Sequence, residues 1–321
     1  SVQLPKLDVW ARGNYSYYKQ DHVDGADKGH AGLFQAGADY VIHPGILIGA
    51  MIQLDTLGMN IDGSVASADG RGWMAGPYLT ARLTDQLFFD AYALWGKSKN
   101  NVNPFGEYED DFATRNQLYS AALTGHWNLG HWYFRPKISV LSYNDKQKAY
   151  RSSASGFDIG SQTFKLGVMK FGPEVGHTLQ TGLGFTIRNF ARLHGVWTFQ
   201  QTEETSSTGA LTSHNPFHAQ LKAGVSITHS TGAQLQFSAQ LSGLGDEDLL
   251  INSGTVKVTV PVMQSQNGQV LNITATANQG LGSSDAINNN ARHDQTSPIS
   301  GGLSYRDERS GTTIDLGAGY D

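Results

Sequence analysis

The sequence predicts an all-β protein, a transmembrane antiparallel up-and-down β-barrel of about 12 strands, with about 14 to 16 strands as the alternative. Strand-like alternation recurs along the chain, and helical periodicity is almost absent. Short and long connections between the predicted strands alternate strictly. Only 16% of the 321 residues are charged, 39% are hydrophobic, and 38 are glycine. Such a composition favours a barrel with an apolar exterior and an uncharged polar interior.

The stretch LFQAGADYVIHPGILIGAMIQLD, residues 33 to 55, shows the pattern most clearly. Apolar and polar residues alternate on both sides of the break His43-Pro44-Gly45, which predicts a hairpin with one apolar and one polar face. The apolar face turns inward in a soluble sheet and outward in a membrane barrel. Many apolar positions hold Ala or Gly, which fill a soluble core poorly but suffice against lipid. A soluble up-and-down barrel or propeller is the alternative.

The connections give the predicted topology. The short ones are predicted at 43–45, 84–86, 128–131, 176–184, 230–232 and 264–268, and the long ones at 19–31, 58–72, 96–111, 144–161, 202–216, 243–253 and 279–297. A meander with tight turns at one end and long loops at the other is typical of an outer-membrane barrel with periplasmic turns and outer loops. Counting every alternating segment gives fifteen candidate strands, although bacterial single-chain barrels have an even number.

Charged side chains occupy the polar face of several predicted strands. We expect the following residues to line the lumen: Asp39, Asp55, Arg82, Asp90, Arg135, Lys137, Lys165, Arg188, Arg192 and Lys222. One interpretation is a pore lining that favours anions or a polar substrate. The other is a salt-bridged interior that stiffens the barrel.

Aromatic residues near strand ends predict the two membrane interfaces, where Trp and Tyr are enriched. The candidates are Tyr15, Tyr17, Tyr40, Trp73, Trp95, Trp127, Trp132 and Trp197. Ordinary aromatic strand propensity is the alternative explanation for any one of them.

Four blocks of the chain resemble the autotransporter outer-membrane barrel domain: LFQAGADYVIHPGILIGAMIQ, GWMAGPYLTARLTDQLFFDAYALWGKSK, WYFRPKISVLSYNDKQKAYRSS and QLQFSAQLSGLGDEDLL. Their order and spacing match over residues 8–262. The resemblance implies a twelve-stranded barrel that follows a secreted passenger, and we expect the passenger and its helical linker to lie outside this chain. We treat 1–321 as a single barrel in which 263–321 adds strands that the family pattern does not predict. The ending TTIDLGAGYD resembles a signal for the barrel-assembly machinery.

Catalytic patterns are not found in the sequence. It has no Gly-x-Ser-x-Gly elbow, no His-Glu-x-x-His and no phosphate loop, so we predict no enzyme activity, no catalytic residues, no cofactor and no metal. A hydrolase that combines Ser226 with His218 or His229 is the enzymatic alternative. The net charge of −5, without a basic stripe, predicts no nucleic-acid partner.

We therefore predict a translocator or anchor barrel of the Gram-negative outer membrane that supports export or surface display of a passenger. Its expected partners are outer-membrane lipids and lipopolysaccharide, the barrel-assembly machinery, and an N-terminal passenger. A free-standing channel for small polar solutes is the alternative. The residues leave open the passenger's identity and cleavage, the pore selectivity and the oligomeric state.

Overall fold

A computed structural model describes residues 7–22, 25–61, 66–103, 108–153, 156–202, 216–245, 249–264, 269–284, 292–296, 299–307 and 312–320. In these residues no helix is long and apolar enough to cross a membrane. The strands are β1 (Leu7–His22), β2 (Gly25–His43), β3 (Ile46–Ile61), β4 (Ala66–Arg82), β5 (Leu87–Asn103), β6 (Asp110–Gly125), β7 (Trp127–Leu129), β8 (Trp132–Gln147), β9 (Tyr150–Arg151), β10 (Asp158–Ile159), β11 (Gln162–Gln180), β12 (Phe185–Gln201), β13 (Phe217–His229), β14 (Gln234–Leu244), β15 (Leu249–Gln264), β16 (Gln269–Ser284), β17 (Arg292–Thr296), β18 (Ile299–Asp307) and β19 (Thr312–Tyr320).

Fifteen of the described strands form one closed wall, in the order β1-β2-β3-β4-β5-β6-β8-β11-β12-β13-β14-β15-β16-β18-β19. Neighbours pair antiparallel, except that β19 closes the wall onto β1 in parallel, from the pair Val9 and Thr312 to the pair Tyr17 and Tyr320. An odd number of alternating strands requires this, because the first and last strands then run in the same direction. The described part of the chain thus falls within the predicted strand range but departs from the even-number rule.

The pairing register shows which side chains share a face of the wall, since directly paired residues point to the same side. Asp39 pairs with Gly49, Gly49 with Tyr78, and Tyr78 with Tyr92, so these polar side chains and their glycine share one face. The other face carries large apolar side chains that are exposed to solvent in the isolated chain, such as Ile48 at 43% and Leu54 at 45% exposure. This is the arrangement of a membrane barrel with an apolar exterior.

The short connections lie at one end of the wall. Pro44 and Gly45 form the turn between β2 and β3. Gly130 in the turn before β8 and Gly232 in the turn before β14 have φ of 66° and 89°, which glycine adopts without steric cost. The segment 176–184, predicted as a connection, is mostly strand, because β11 continues to Gln180.

At the other end the strands run further than predicted. Within the expected loop 19–31, β1 continues to His22 and β2 begins at Gly25, and within 58–72, β3 continues to Ile61 and β4 begins at Ala66. Backbone ladders need no apolar alternation, so these extensions leave no hydropathy signal. The predicted loop 202–216 lies almost entirely outside the described residues.

Large aromatic side chains cover glycines on the inner face. Trp10 lies over Gly37 and Tyr78 over Gly49, where a Cβ atom would overlap the rings. The two side chains meet, and the Trp10 Nε1–H donates a hydrogen bond of 2.7 Å to the Tyr78 hydroxyl. This contact ties β1 to β4 across the two strands between them.

Candidate functional site in the barrel lumen

The register gives the face of each charged residue expected in the lumen. Nine share the inner face: Asp39, Asp55, Arg82, Asp90, Arg135, Lys137, Arg188, Arg192 and Lys222. Lys165 differs, because it pairs with Asn144, whereas its neighbour Phe164 pairs with Asp145 on the inner face. Lys165 therefore lies on the outward face, toward the long loops.

The acidic and basic residues expected in the lumen lie mainly on different strands, which we call the acidic arc and the basic arc. Asp39, Asp55 and Asp90 lie on β2, β3 and β5, and most basic residues lie on β8, β12 and β13. In the closed order, β2 and β3 are about half a turn of the wall from β12 and β13. Arg82 is an exception in the acidic arc, and it forms an ion pair with Asp85 at the turn that follows. Asp145 on β8 and Glu174 on β11 place acidic side chains among the basic strands, so the two signs of charge are only partly separated.

A buried carboxylate anchors the basic arc. The Glu174 side chain, on β11, is only 6% exposed. It accepts hydrogen bonds from the Tyr133 hydroxyl at 3.1 Å, from Arg135 Nη1 at 3.4 Å and from Arg192 Nε at 2.8 Å, and Arg192 Nη2 makes a further contact. Charge-assisted bonds of this kind offset the desolvation of a buried carboxylate. Glu174 thereby joins β8, β11 and β12.

The Tyr133 ring completes this network. It lies over Gly176, where a Cβ atom would overlap the ring. The guanidinium groups of Arg135 and Arg188 lie 5.3 and 5.5 Å from the ring centroid, within cation–π range. The ring thus holds two arginines against the wall.

Next to this network is a cavity of about 220 Å³ lined by the four basic residues Lys137, Lys170, Arg192 and Lys222, together with His194 and uncharged polar side chains. Arg192 and Lys222 are directly paired across β12 and β13. We call the cavity lined by Lys137, Lys170, Arg192, His194 and Lys222 the basic cavity. It can bind an anion, because every charged group that lines it is a hydrogen-bond donor.

Sequence reasoning did not single out Lys170 or Glu174. The two are separated by Gly172, and Gly176 follows, in KFGPEVG. Every second residue of this stretch faces the lumen, so period-2 alternation of charge and glycine was the available signal. The Gly and Pro content concealed it, because those residues predict a turn.

The residues of the hydrolase alternative do not come together. Ser226 faces the lumen, where its hydroxyl accepts a hydrogen bond from Gln234 Nε2 at 2.7 Å. His229 lies an odd number of positions away, on the opposite face, and its Nδ1 is 2.9 Å from Thr231 Oγ1. His218 shares the inner face but lies toward the other end of β13. Within the described ranges no three His, Asp or Glu residues form a metal-binding group.

The expected interface aromatics lie on the outward face or at a turn. Tyr40, Trp127 and Trp132 lie near the short turns, Tyr15, Trp73 and Trp197 lie closer to the long loops, and Trp95 lies at the middle of β5. The Trp95 Nε1–H donates a hydrogen bond of 2.9 Å to the Tyr119 hydroxyl. Tyr17 also belongs to the outward set by its position on β1, two residues after Tyr15.

Comparison with known proteins identifies relatives. The family model described as the autotransporter beta-domain matches residues 9–246. The beta domain of the Bordetella autotransporter BrkA has a similar fold, with a TM-score of 0.52 and 19% identity over 74% of this chain and 92% of that domain. The translocator domain of the autotransporter NalP from Neisseria meningitidis aligns at 13% identity over 86% of each chain, with a TM-score of 0.46. No curated protein sequence matches significantly.

Proposed function

Since the chain belongs to the autotransporter β-domain family, we propose that its charged lumen holds a segment of an attached passenger polypeptide. The protein is a translocator barrel of the Gram-negative outer membrane, and it supports the export or surface display of that passenger. The observation that carries this conclusion is the family match over residues 9–246. The free-standing channel is not favoured.

The wall explains how the chain remains in a bilayer. A closed ladder gives the backbone amide and carbonyl groups partners within the sheet, which a hydrocarbon environment requires. The apolar face meets lipid, and the polar face surrounds an interior that can accommodate water and polar groups. A polypeptide segment in that interior keeps its own polar groups away from lipid.

The charged residues that line the lumen bear on how an enclosed polypeptide segment is oriented. We propose that the acidic arc, with Asp39, Asp55 and Asp90, attracts basic side chains of the enclosed segment, and that Arg188 attracts acidic ones. Support comes from the position of β2 and β3, with Asp39 and Asp55, about half of the wall away from β12 and β13. The Glu174 network also supports the alternative role, an ion-paired interior that stiffens the wall, because Arg135 and Arg192 are already paired.

Lipids, lipopolysaccharide and the barrel-assembly machinery are the further partners that we propose. The outward aromatics near each end of the strands support contact with the two membrane interfaces. In β19, Ile314 and Leu316 share the outward face, with exposures of 37% and 48%. This alternation supports an assembly signal at the end of the described chain.

We also propose that the chain has no catalytic activity of its own. The separation of Ser226 from His229 on opposite faces, and from His218 along β13, supports this proposal. The lumen then acts through binding and passage alone.

The mass of the native polypeptide in intact outer membranes, measured before and after protease treatment of whole cells, tests the proposed function. We expect a species much larger than the barrel that collapses to a barrel-sized fragment, because the passenger is exposed and the wall is protected. A protein that is barrel-sized throughout its synthesis, combined with steady ion conductance by the purified barrel, would instead support the channel.

A further inference from the structure

The basic cavity has an unbalanced charge. Lys137, Lys170, Arg192 and Lys222 contribute four positive charges, and no carboxylate lines the cavity in the described part of the chain. Glu174 compensates Arg192, but Arg135 shares it. The three lysines form no ion pair with another described residue. The cavity therefore has excess positive charge that the described side chains do not neutralise.

The register places these charges close together. Arg192 is directly opposite Lys222, and like charges at directly paired positions destabilise a sheet. Lys170 pairs with Ser139, and Lys137 is two positions from Ser139 on the same face of β8. A bound anion between these side chains would remove the repulsion. Each lysine has three N–H donors, and the side-chain amides of Gln220 and Gln240 add donors to the lining.

We propose that the basic cavity is a binding site for a compact, multiply charged oxyanion of the phosphate type, taken up from solution. Several oxygens and more than one charge on a single small ligand match several separate donors, which a chloride ion does not. This inference goes beyond the translocator role, because the site binds its ligand whether or not a passenger is present.

Size and position favour a small soluble ligand. The cavity measures about 220 Å³, and one water molecule needs about 10–15 Å³ of such space, so an oxyanion of a few atoms fits. Lipid phosphates contact the outward face of a membrane barrel and have no route to the inner face. A free oxyanion fits both restrictions.

Titration calorimetry of the purified, folded barrel in detergent with inorganic phosphate tests the proposal, with chloride used to hold the ionic strength constant. We expect saturable binding at one site. Lys222→Gln and Lys170→Gln each remove one charged donor and weaken binding about tenfold. Lys257→Gln is the matched control, because Lys257 shares the inner face through its pair Gln236 but does not line the cavity.

Heat-dependent gel mobility and circular dichroism establish that each variant is folded. If one of the two cavity variants does not fold, the other still tests the proposal. The absence of saturable phosphate binding to the parent barrel would overturn the proposal. Equal weakening by Lys257→Gln would do the same, since it would show a general charge effect. So would binding of an acidic peptide without binding of phosphate. None of these results changes the test of the translocator role by protease treatment of cells.

Discussion

Two regions of the wall are held together in different ways. At the seam between β19 and β1, nine residue pairs run in parallel, and the ion pair between Arg12 and Asp315 is long, at 3.8 Å, with side chains 65% and 35% exposed. About half a turn away, β11 pairs antiparallel with β8 over sixteen residue pairs, and the buried Glu174 joins β8, β11 and β12.

The difference shows that a uniform alternating pattern does not produce a uniformly stable wall. Parallel pairing is slightly less stable per residue than antiparallel pairing, and an exposed ion pair contributes little. A buried carboxylate with several charged donors makes its strands depend on one another. We therefore expect changes near Glu174 to affect the whole barrel and equivalent changes at the seam to have small effects.

The largest expected effect is that of Glu174→Gln. It leaves Arg135 and Arg192 without their partner charge, and we expect the free energy of unfolding to fall by about 3 kcal/mol, near the lower limit for a broken buried pair because both arginines are partly exposed. Urea unfolding of the barrel in lipid vesicles, followed by tryptophan fluorescence, measures this. The matched seam variant Asp315→Asn should cost at most ~1 kcal/mol. Similar losses in the two variants would contradict the comparison.

A pair of glycine variants gives a smaller contrast. Gly176→Ala forces the Tyr133 ring away from the wall and weakens its hydrogen bond to Glu174, so we expect a loss of about 1–3 kcal/mol. Gly13→Ala, at the seam, brings a Cβ atom to 3.2 Å from Leu316 Cδ2, which can move, so its effect should be within about 0.5 kcal/mol. The same unfolding measurement applies, and a larger loss for Gly13→Ala would show that the seam is the tighter region.

The smallest effect is expected where the wall leaves the membrane. A spanning strand needs about 10 residues, so Asp110, at the start of β6, lies beyond the membrane on the long-loop side. It accepts a hydrogen bond of 2.6 Å from the Ser153 backbone amide. Hydrogen bonds from the side chain and backbone of Ser153 lower the pKa of Asp110.

Folding lowers the pKa of this carboxylate, so the charged group stabilises the folded loop at any pH above the pKa that it has in the unfolded chain. That stabilisation is lost as the pH falls through the lower pKa of the folded state. The contact between Asp110 and Ser153 should therefore persist at neutral pH and disappear only below about pH 4. Asp110→Asn should speed hydrogen exchange around Ser153 severalfold at pH 7 and leave β11 unchanged. Unchanged exchange at Ser153 would show that other contacts hold this loop.

The sequence predicted the faces of the wall well where polar and apolar residues alternate. Arg135 and Lys137 alternate with Phe134 and Ile138, and the register puts both charges on the inner face. Lys165 was expected in the lumen from its charge and was placed on the wrong face. It lies five positions before Lys170 on one continuous strand, so the two side chains point to opposite faces.

Other features depend on contacts between distant parts of the chain. Gly176 is typical of a turn in the sequence, yet it lies in a strand, paired with Tyr133 on β8 and Phe190 on β12. The partners of Glu174 lie on β8 and β12 and cannot be read from its neighbours in sequence. Parallel closure follows from the total number of strands, and no local pattern encodes it.

Whether one chain closes its own wall is tested most directly by cross-linking across the seam. The chain has no cysteine, so Gly13→Cys with Leu316→Cys, which are paired in the register, can be joined in intact outer membranes by a short thiol cross-linker. Gly13→Cys with Phe34→Cys, paired across β1 and β2, is the positive control. We expect both pairs to give a cross-link within one chain. A seam pair that stays unlinked, or links only two chains, while the control reacts would contradict the closed fifteen-stranded wall.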